Sequence, residues 1–107
     1  MQFLVLGYDG VDDQALDRRM AVRAAHLALA DIMRDAGKLL YGAAILDDNG
    51  KMIGSTLICE FDSRAELDHW LKEEPYMTGG VWQKVEVQNC KVAPGFVGLK
   101  PQLTANS

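Results

Sequence analysis

The chain has 107 residues, 49% hydrophobic and 24% charged, with 11 Lys and Arg against 15 Asp and Glu, a formal charge of −4. A chain this short buries about 60–70% of its unfolded surface, enough for one core, which excludes a dehydrogenase of the two-domain, dinucleotide-binding form. Interspersed charges exclude a disordered polyanion-binding tail and the acidic balance argues against nucleic acid. With no apolar run near the roughly 20 residues of a bilayer span and no basic signal start, the expectation is a cytoplasmic protein without a membrane partner.

In chain order, Phe3 to Tyr8 (FLVLGY) reads as a first strand closed by an Asp9-Gly10 turn. From about Asp13 to Ala36 there is no Pro or Gly, and Gly37 stands where a left-handed C-terminal cap is usual, so a long helix is expected. Its apolar positions draw two stripes, Leu16-Met20-Ala24-Leu27 and Val22-His26-Leu29-Met33, which predict a broad buried face interrupted by His26. Arg18-Arg19 read as the polar face. Lys38 to Leu46 and Met52 to Phe61 flank Asn49-Gly50, a hairpin signal, and form antiparallel strands. Ser63-x-x-Glu66 has the form of a capping box and opens a second helix that Pro75 ends near Glu74. After a backbone bend at Gly79-Gly80, Val81 to Asn89 alternates as a half-buried strand would.

The order β-α-β-β-α-β is the split βαβ arrangement of ferredoxin-like α+β folds, with both helices on one face of a four-stranded antiparallel sheet. The strands carry apolar residues at successive positions, so both faces are expected to be buried, and two helices cover only one. A homodimer packed sheet face to sheet face is the economical cover. Cys59 and Cys90 show no metal or redox spacing and are expected as free thiols, and no metal-ligand pair involves His26 or His69.

Four segments in order, Ala21-Val22-Arg23-x-x-His26-Leu27-Ala28, Gly37-Lys38-Leu39-Leu40, Gly54-Ser55-Thr56-Leu57-Ile58 and Pro75-Tyr76-x-x-Gly79-Gly80-Val81, resemble the YciI-like (YCII-related) proteins. The resemblance implies a ferredoxin-like domain over residues 1–91 and a dimeric α+β barrel similar to muconolactone isomerases; the tail over 92–107, with Pro94, Gly95 and Pro101, lies outside it and reads as irregular. The resemblance also implies a His-Asp site, and one branch of the family holds a dehydrochlorinase of chlorinated hydroxyhydroquinones. The family's histidine falls on His26, its arginine on Arg23 and its Gly-Ser on Gly54-Ser55. Its Asp-Pro-Tyr falls on Glu74-Pro75-Tyr76, where the acid is one methylene longer.

The topology brings His26 beside Glu74, because the two helices run antiparallel. A carboxylate accepting from one ring nitrogen fixes the tautomer and leaves the other for acid/base work. Arg23, one turn before His26, would hold a substrate anion, with Ser55 and Tyr76 as hydroxyl contacts. Each has a plainer alternative: a core imidazole for His26, a surface arginine for Arg23, a helix-end acid for Glu74, a strand hydroxyl for Ser55, a dimer-interface aromatic for Tyr76 or Trp82. Asp35 competes for His26 but lies nine residues on, about 13 Å of helix rise. His69 reads as a solvated helix residue. The expectation is a cofactor-free lyase, isomerase or dehydrochlorinase acting on a small anionic or phenolic molecule, and the alternative is a non-catalytic dimeric ligand-binding or accessory module.

Overall fold

The structure, a computed structural model, describes residues 1–96, so the residues 97–107 of the expected tail lie outside it. Strand β1 (Gln2–Asp9) leads to helix α1 (Ala15–Asp35) and to the hairpin β2 (Leu39–Leu46) and β3 (Met52–Glu60). Helices α2 (Arg64–Glu73) and α3 (Pro75–Thr78), strand β4 (Trp82–Cys90) and a 3-10 turn (Pro94–Phe96) follow. All strand pairs are antiparallel, in the order β2-β3-β1-β4, which is the ferredoxin-like sheet. Among the described residues no helix is long and apolar enough to cross a membrane.

Local chemistry accounts for the joints. Gly37 takes φ +76°, its N–H bonds the Arg34 carbonyl and that of Lys38 the Met33 carbonyl, a Schellman end that turns α1 into β2. At the hairpin Gly50 takes φ +84°, and Asp47 Oδ1 accepts the Asn49 and Lys51 N–H groups. Ser63 Oγ accepts from the Glu66 N–H and caps α2. Pro75 holds Glu74 extended (φ −66°, ψ 129°), which ends α2 and starts a short helix, α3, that the sequence pattern does not mark.

Phe3, Val5, Leu57 and Cys59 pack beneath Leu67, Trp70 and Leu71 of α2, Tyr76 of α3, and Val22, Leu29 and Met33 of α1. The opposite sheet face, with Leu4, Leu6 and Tyr8 of β1, Thr56 and Ile58 of β3 and Tyr41 of β2, has no covering element among the described residues, and Tyr41 is 68% exposed. Cys59 faces the helices and Cys90, paired with Gln2, lies on the other side; both thiols are free.

Two expectations for α1 are corrected. The stripe Leu16-Met20-Ala24-Leu27 looks outward, with Met20 50% and Leu27 42% exposed. The inward stripe is Ala15-Arg19-Val22-His26-Leu29-Met33, at helical spacings of four and three, so Arg19 is a buried residue and only Arg18 belongs to the surface. A helix face must match what it packs against, and here the opposite wall supplies charge partners for a guanidinium.

Candidate functional site

The first of those partners is Asp9. The sequence reading ended β1 before it, but alternation along β1 places Asp9 on the same face as Phe3, Val5 and Gly7. Arg19 Nη1 donates to both carboxylate oxygens of Asp9, at 2.9 and 3.1 Å, and Arg19 Nη2 donates to Ser55 Oγ at 2.8 Å. Burial pushes the Asp9 carboxyl above its ordinary value, against the opposing pull of Arg19.

Trp82 joins this network through a β-bulge. Lys84 opposes Tyr8, so plain alternation would set Gln83 against Asp9 and turn Trp82 to the other face. One extra residue in β4 sets Trp82 against Asp9 instead and brings its ring inward, where Nε1 donates to Ser55 Oγ at 3.3 Å. Gly7 makes the seat: a Cβ there would lie 2.4 Å from the indole.

The second partner pair is His26 and Glu74. The extended backbone that Pro75 imposes lets the Glu74 side chain turn back over α3, where Oε2 accepts the Tyr76 N–H at 2.7 Å. Its other oxygen, Oε1, accepts from His26 Nδ1. Glu74 is 1% exposed, so the carboxylate is held at both oxygens out of water. Gly79 lets α3 approach α1 closely, since a Cβ there would lie 3.0 Å from Val22. With Nδ1–H given to Glu74, a neutral His26 presents Nε2 as an acceptor. The imidazole stacks on Tyr76 at 3.8 Å between centroids, 9° from parallel, and the Arg19 guanidinium lies 4.6 Å from the same phenol ring. Burial pushes the Tyr76 hydroxyl up from its ordinary value.

These side chains meet at a cleft of about 400 Å³ between α1 and the β2–β3 side of the sheet. Arg19, Arg23 and His26 line one wall, Ser55 and Leu57 of β3 the other, with Tyr76 and the small residues Gly42 to Ala44 of β2. Those small side chains leave the space that a bulkier strand would fill. Arg23 is half-buried and forms no ion pair or side-chain hydrogen bond among the described residues.

The comparisons with known proteins bear on the family and the fold. The YCII-related domain matches residues 1–91. The chain belongs to the YCII-related family. It is 33% identical over 97 residues to Protein YciI of Escherichia coli O6:H1, covering 85% of this chain and 97% of that protein. Among solved structures it is similar to the 5-chloro-2-hydroxyhydroquinone dehydrochlorinase of Burkholderia phenoliruptrix AC1100 in complex with 2,5-dihydroxybenzoquinone. That match is 27% identical, with TM-score 0.75 and coverage of 89% of this chain and 98% of that one. A dimeric ferredoxin-like protein of unknown function from Jannaschia sp. CCS1, 16% identical with TM-score 0.51 and covering 85% and 98%, shares the fold.

All five residues singled out from the sequence of this YCII-related chain, His26, Glu74, Arg23, Ser55 and Tyr76, come together at the cleft or directly behind it. The extra methylene of Glu74 does not prevent contact with His26. Tyr76 and Trp82 lie in the helix-side core, not on the open sheet face. Asp35 bonds Arg34 and has no part in the site, and His69 is solvated beside Glu73. The sequence reading missed Asp9, Arg19 and Trp82. Arg19 stands four residues before Arg23 and seven before His26, a helical spacing that places it on their side.

Proposed function

We propose that this chain is a cofactor-independent enzyme of the lyase, isomerase or dehydrochlorinase type, moving a proton on a small, planar, anionic or phenolic ring. The observation that carries it is the pairing of His26 Nδ1 with the buried Glu74 at the wall of a cleft that also holds Arg23. Glu74 fixes the tautomer and Nε2 of His26 takes the proton from a substrate O–H or C–H. In isomerisation it returns that proton at another atom; in dehydrochlorination the C–Cl bond breaks, chloride leaves with its electron pair and the proton passes from His26 to solvent. Arg23 balances the anionic ring formed on the way. Ser55 and Tyr76 contact the ring oxygens. The dehydrochlorinase relative, crystallised with 2,5-dihydroxybenzoquinone, supports an oxygenated six-membered ring as the substrate class.

The working unit of this reading is a homodimer packed through the open sheet face. Leu4, Leu6 and Ile58 are half-buried there in one protomer, and covering them withdraws apolar area worth about 25 cal/mol per Å². Light scattering is expected to give twice the chain mass, and Ile58→Lys to give one.

The functional test is binding of 2,5-dihydroxybenzoquinone by calorimetry and turnover of 5-chloro-2-hydroxyhydroquinone followed as chloride release. Wild type is expected to bind the quinone, and His26→Ala to lower turnover by about 10²–10⁴-fold, the usual worth of a general acid/base. Absence of binding, or turnover unchanged in His26→Ala, overturns the assignment.

A further inference from the structure

Ser55 is the most constrained hydroxyl at the site. It is 3% exposed, and its oxygen accepts from Arg19 Nη2 at 2.8 Å and from Trp82 Nε1 at 3.3 Å. A guanidinium and an indole N–H can only donate, and a hydroxyl oxygen has two lone pairs and one proton. Both lone pairs are therefore taken. No acceptor among the described residues takes the proton, and Ser55 lines the cleft.

We infer that Asp9, Arg19 and Trp82 are positioning residues that lock Ser55 as an obligate hydrogen-bond donor to an anionic or carbonyl oxygen of the ligand. The inference rests on the functional reading above and deepens it by assigning a polarity to each side of the cleft. Asp9 holds Nη1 of Arg19 through two hydrogen bonds, which aims Nη2 at Ser55. The bulge in β4 and the missing Cβ of Gly7 together aim Nε1 of Trp82 at the same oxygen. His26, with Nδ1 committed to Glu74, offers the acceptor Nε2. The cleft thus presents an acceptor on α1 and a fixed donor on β3, with Arg23 as a cation that has no ion pair among the described residues. A ligand that suits it carries a removable proton at one position and an oxygen that gains negative charge at another. That is the distribution of an enol, phenol or hydroxyquinone undergoing tautomerisation or elimination. A donor oriented before the substrate arrives needs no reorganisation when the charge develops.

The test is a double-mutant cycle on the full chain, with 2,5-dihydroxybenzoquinone as the probe and both affinity and the visible absorption of the bound quinone as readouts. Ser55→Ala is expected to weaken binding about 10- to 100-fold, the worth of one hydrogen bond to a charged group. Trp82→Phe keeps an aromatic ring in the core but frees one lone pair of Ser55. It is expected to weaken binding about 3- to 10-fold with little loss of thermal stability. In the Ser55→Ala background Trp82→Phe is expected to have no further effect, because the indole N–H acts only through the hydroxyl. The spectral displacement that a donor at the quinone oxygen produces is expected to vanish in Ser55→Ala and to shrink in Trp82→Phe. If His26→Ala alters binding or turnover while Ser55→Ala and Trp82→Phe match wild type, the donor assignment is wrong and the functional reading stands. If the wild-type chain does not bind the quinone, the functional reading falls and this inference with it.

Discussion

Removing Asp9 strands a buried cation. The Asp9 and Arg19 side chains are each 3% exposed, and Arg19 Nε has no hydrogen-bond partner among the described residues. In Asp9→Ala, Nη1 loses both of its carboxylate acceptors as well. Breaking a buried pair by deleting one partner costs about 3–5 kcal/mol. For a domain of this length 1 kcal/mol moves the midpoint by about 4–8 °C, so the melting temperature is expected to fall by roughly 15–30 °C. Arg19→Met leaves the carboxylate unpaired and is expected to lose a similar amount. The raised Asp9 carboxyl means that desolvation outweighs the attraction of Arg19, so the pair gives little advantage over an apolar replacement. Asp9→Ala/Arg19→Met is accordingly expected to lose far less than the sum of the two singles, with a coupling of about 3 kcal/mol. The assay is thermal and urea unfolding of all four proteins at one protein concentration, since association couples to stability. Single variants that each lose less than about 1 kcal/mol, or a double variant equal to the sum, would refute a tightly coupled buried pair.

Gly7→Ala sets a Cβ 2.4 Å from the Trp82 ring and is expected to cost about 1–3 kcal/mol as the indole is pushed from its seat, read as a lowered midpoint and altered tryptophan fluorescence. Burial pushes the Cys59 thiol up to about 12, so alkylation at pH 8 is expected to reach Cys59 only on unfolding; labelling of the native chain at Cys59 within minutes, by mass spectrometry, sinks this. Arg18 holds Asp12 down to about 2 from 3.8. A lowered carboxyl contributes stability that is present above its unfolded value and lost as pH falls through the folded one. The contribution of Asp12 is therefore expected to disappear between about pH 4 and pH 2, and Asp12→Asn to flatten the stability curve there.

The sequence made the strand and helix order legible because each joint carries its own chemistry: Gly37 for the helix end, Asn49-Gly50 for the hairpin, Ser63 for the cap, Pro75 for the stop. His26 and Glu74 were legible together because the family resemblance puts a histidine and an acid at those positions and the antiparallel helices bring them side by side. What hid Arg19 was the rule that a buried stripe is an apolar one. A stripe drawn through Leu16, Met20, Ala24 and Leu27 satisfies that rule and points to solvent, because the inward stripe carries two polar side chains whose partners come from elsewhere in the chain, Asp9 and Ser55 for Arg19 and Glu74 for His26. Those partners lie 10 to 48 residues away, beyond any local pattern. Trp82 was hidden for a different reason. Its inward orientation depends on a single extra residue in β4, and period-two reading of Val81 to Asn89 has no way to register a bulge.

The pairings also bear on the ligand charge in the function proposed above. Two of its cationic or potentially cationic groups already have their counter-charges in the wall: Arg19 in Asp9, His26 in Glu74. At the outer end Arg34 is paired with Asp31. Among the described residues that line the cleft, Arg23 is then the one cation without an anionic partner. An otherwise acidic chain of formal charge −4 thus concentrates about one uncompensated positive charge at one end of a half-open space of about 400 Å³. In the function proposed above, an anionic ring completes that balance. A neutral ring would leave Arg23 partly desolvated without return. Lysine at position 23 keeps the charge but not the planar fork that can grip two oxygens, so Arg23→Lys separates charge balance from geometry in a way that Arg23→Ala does not.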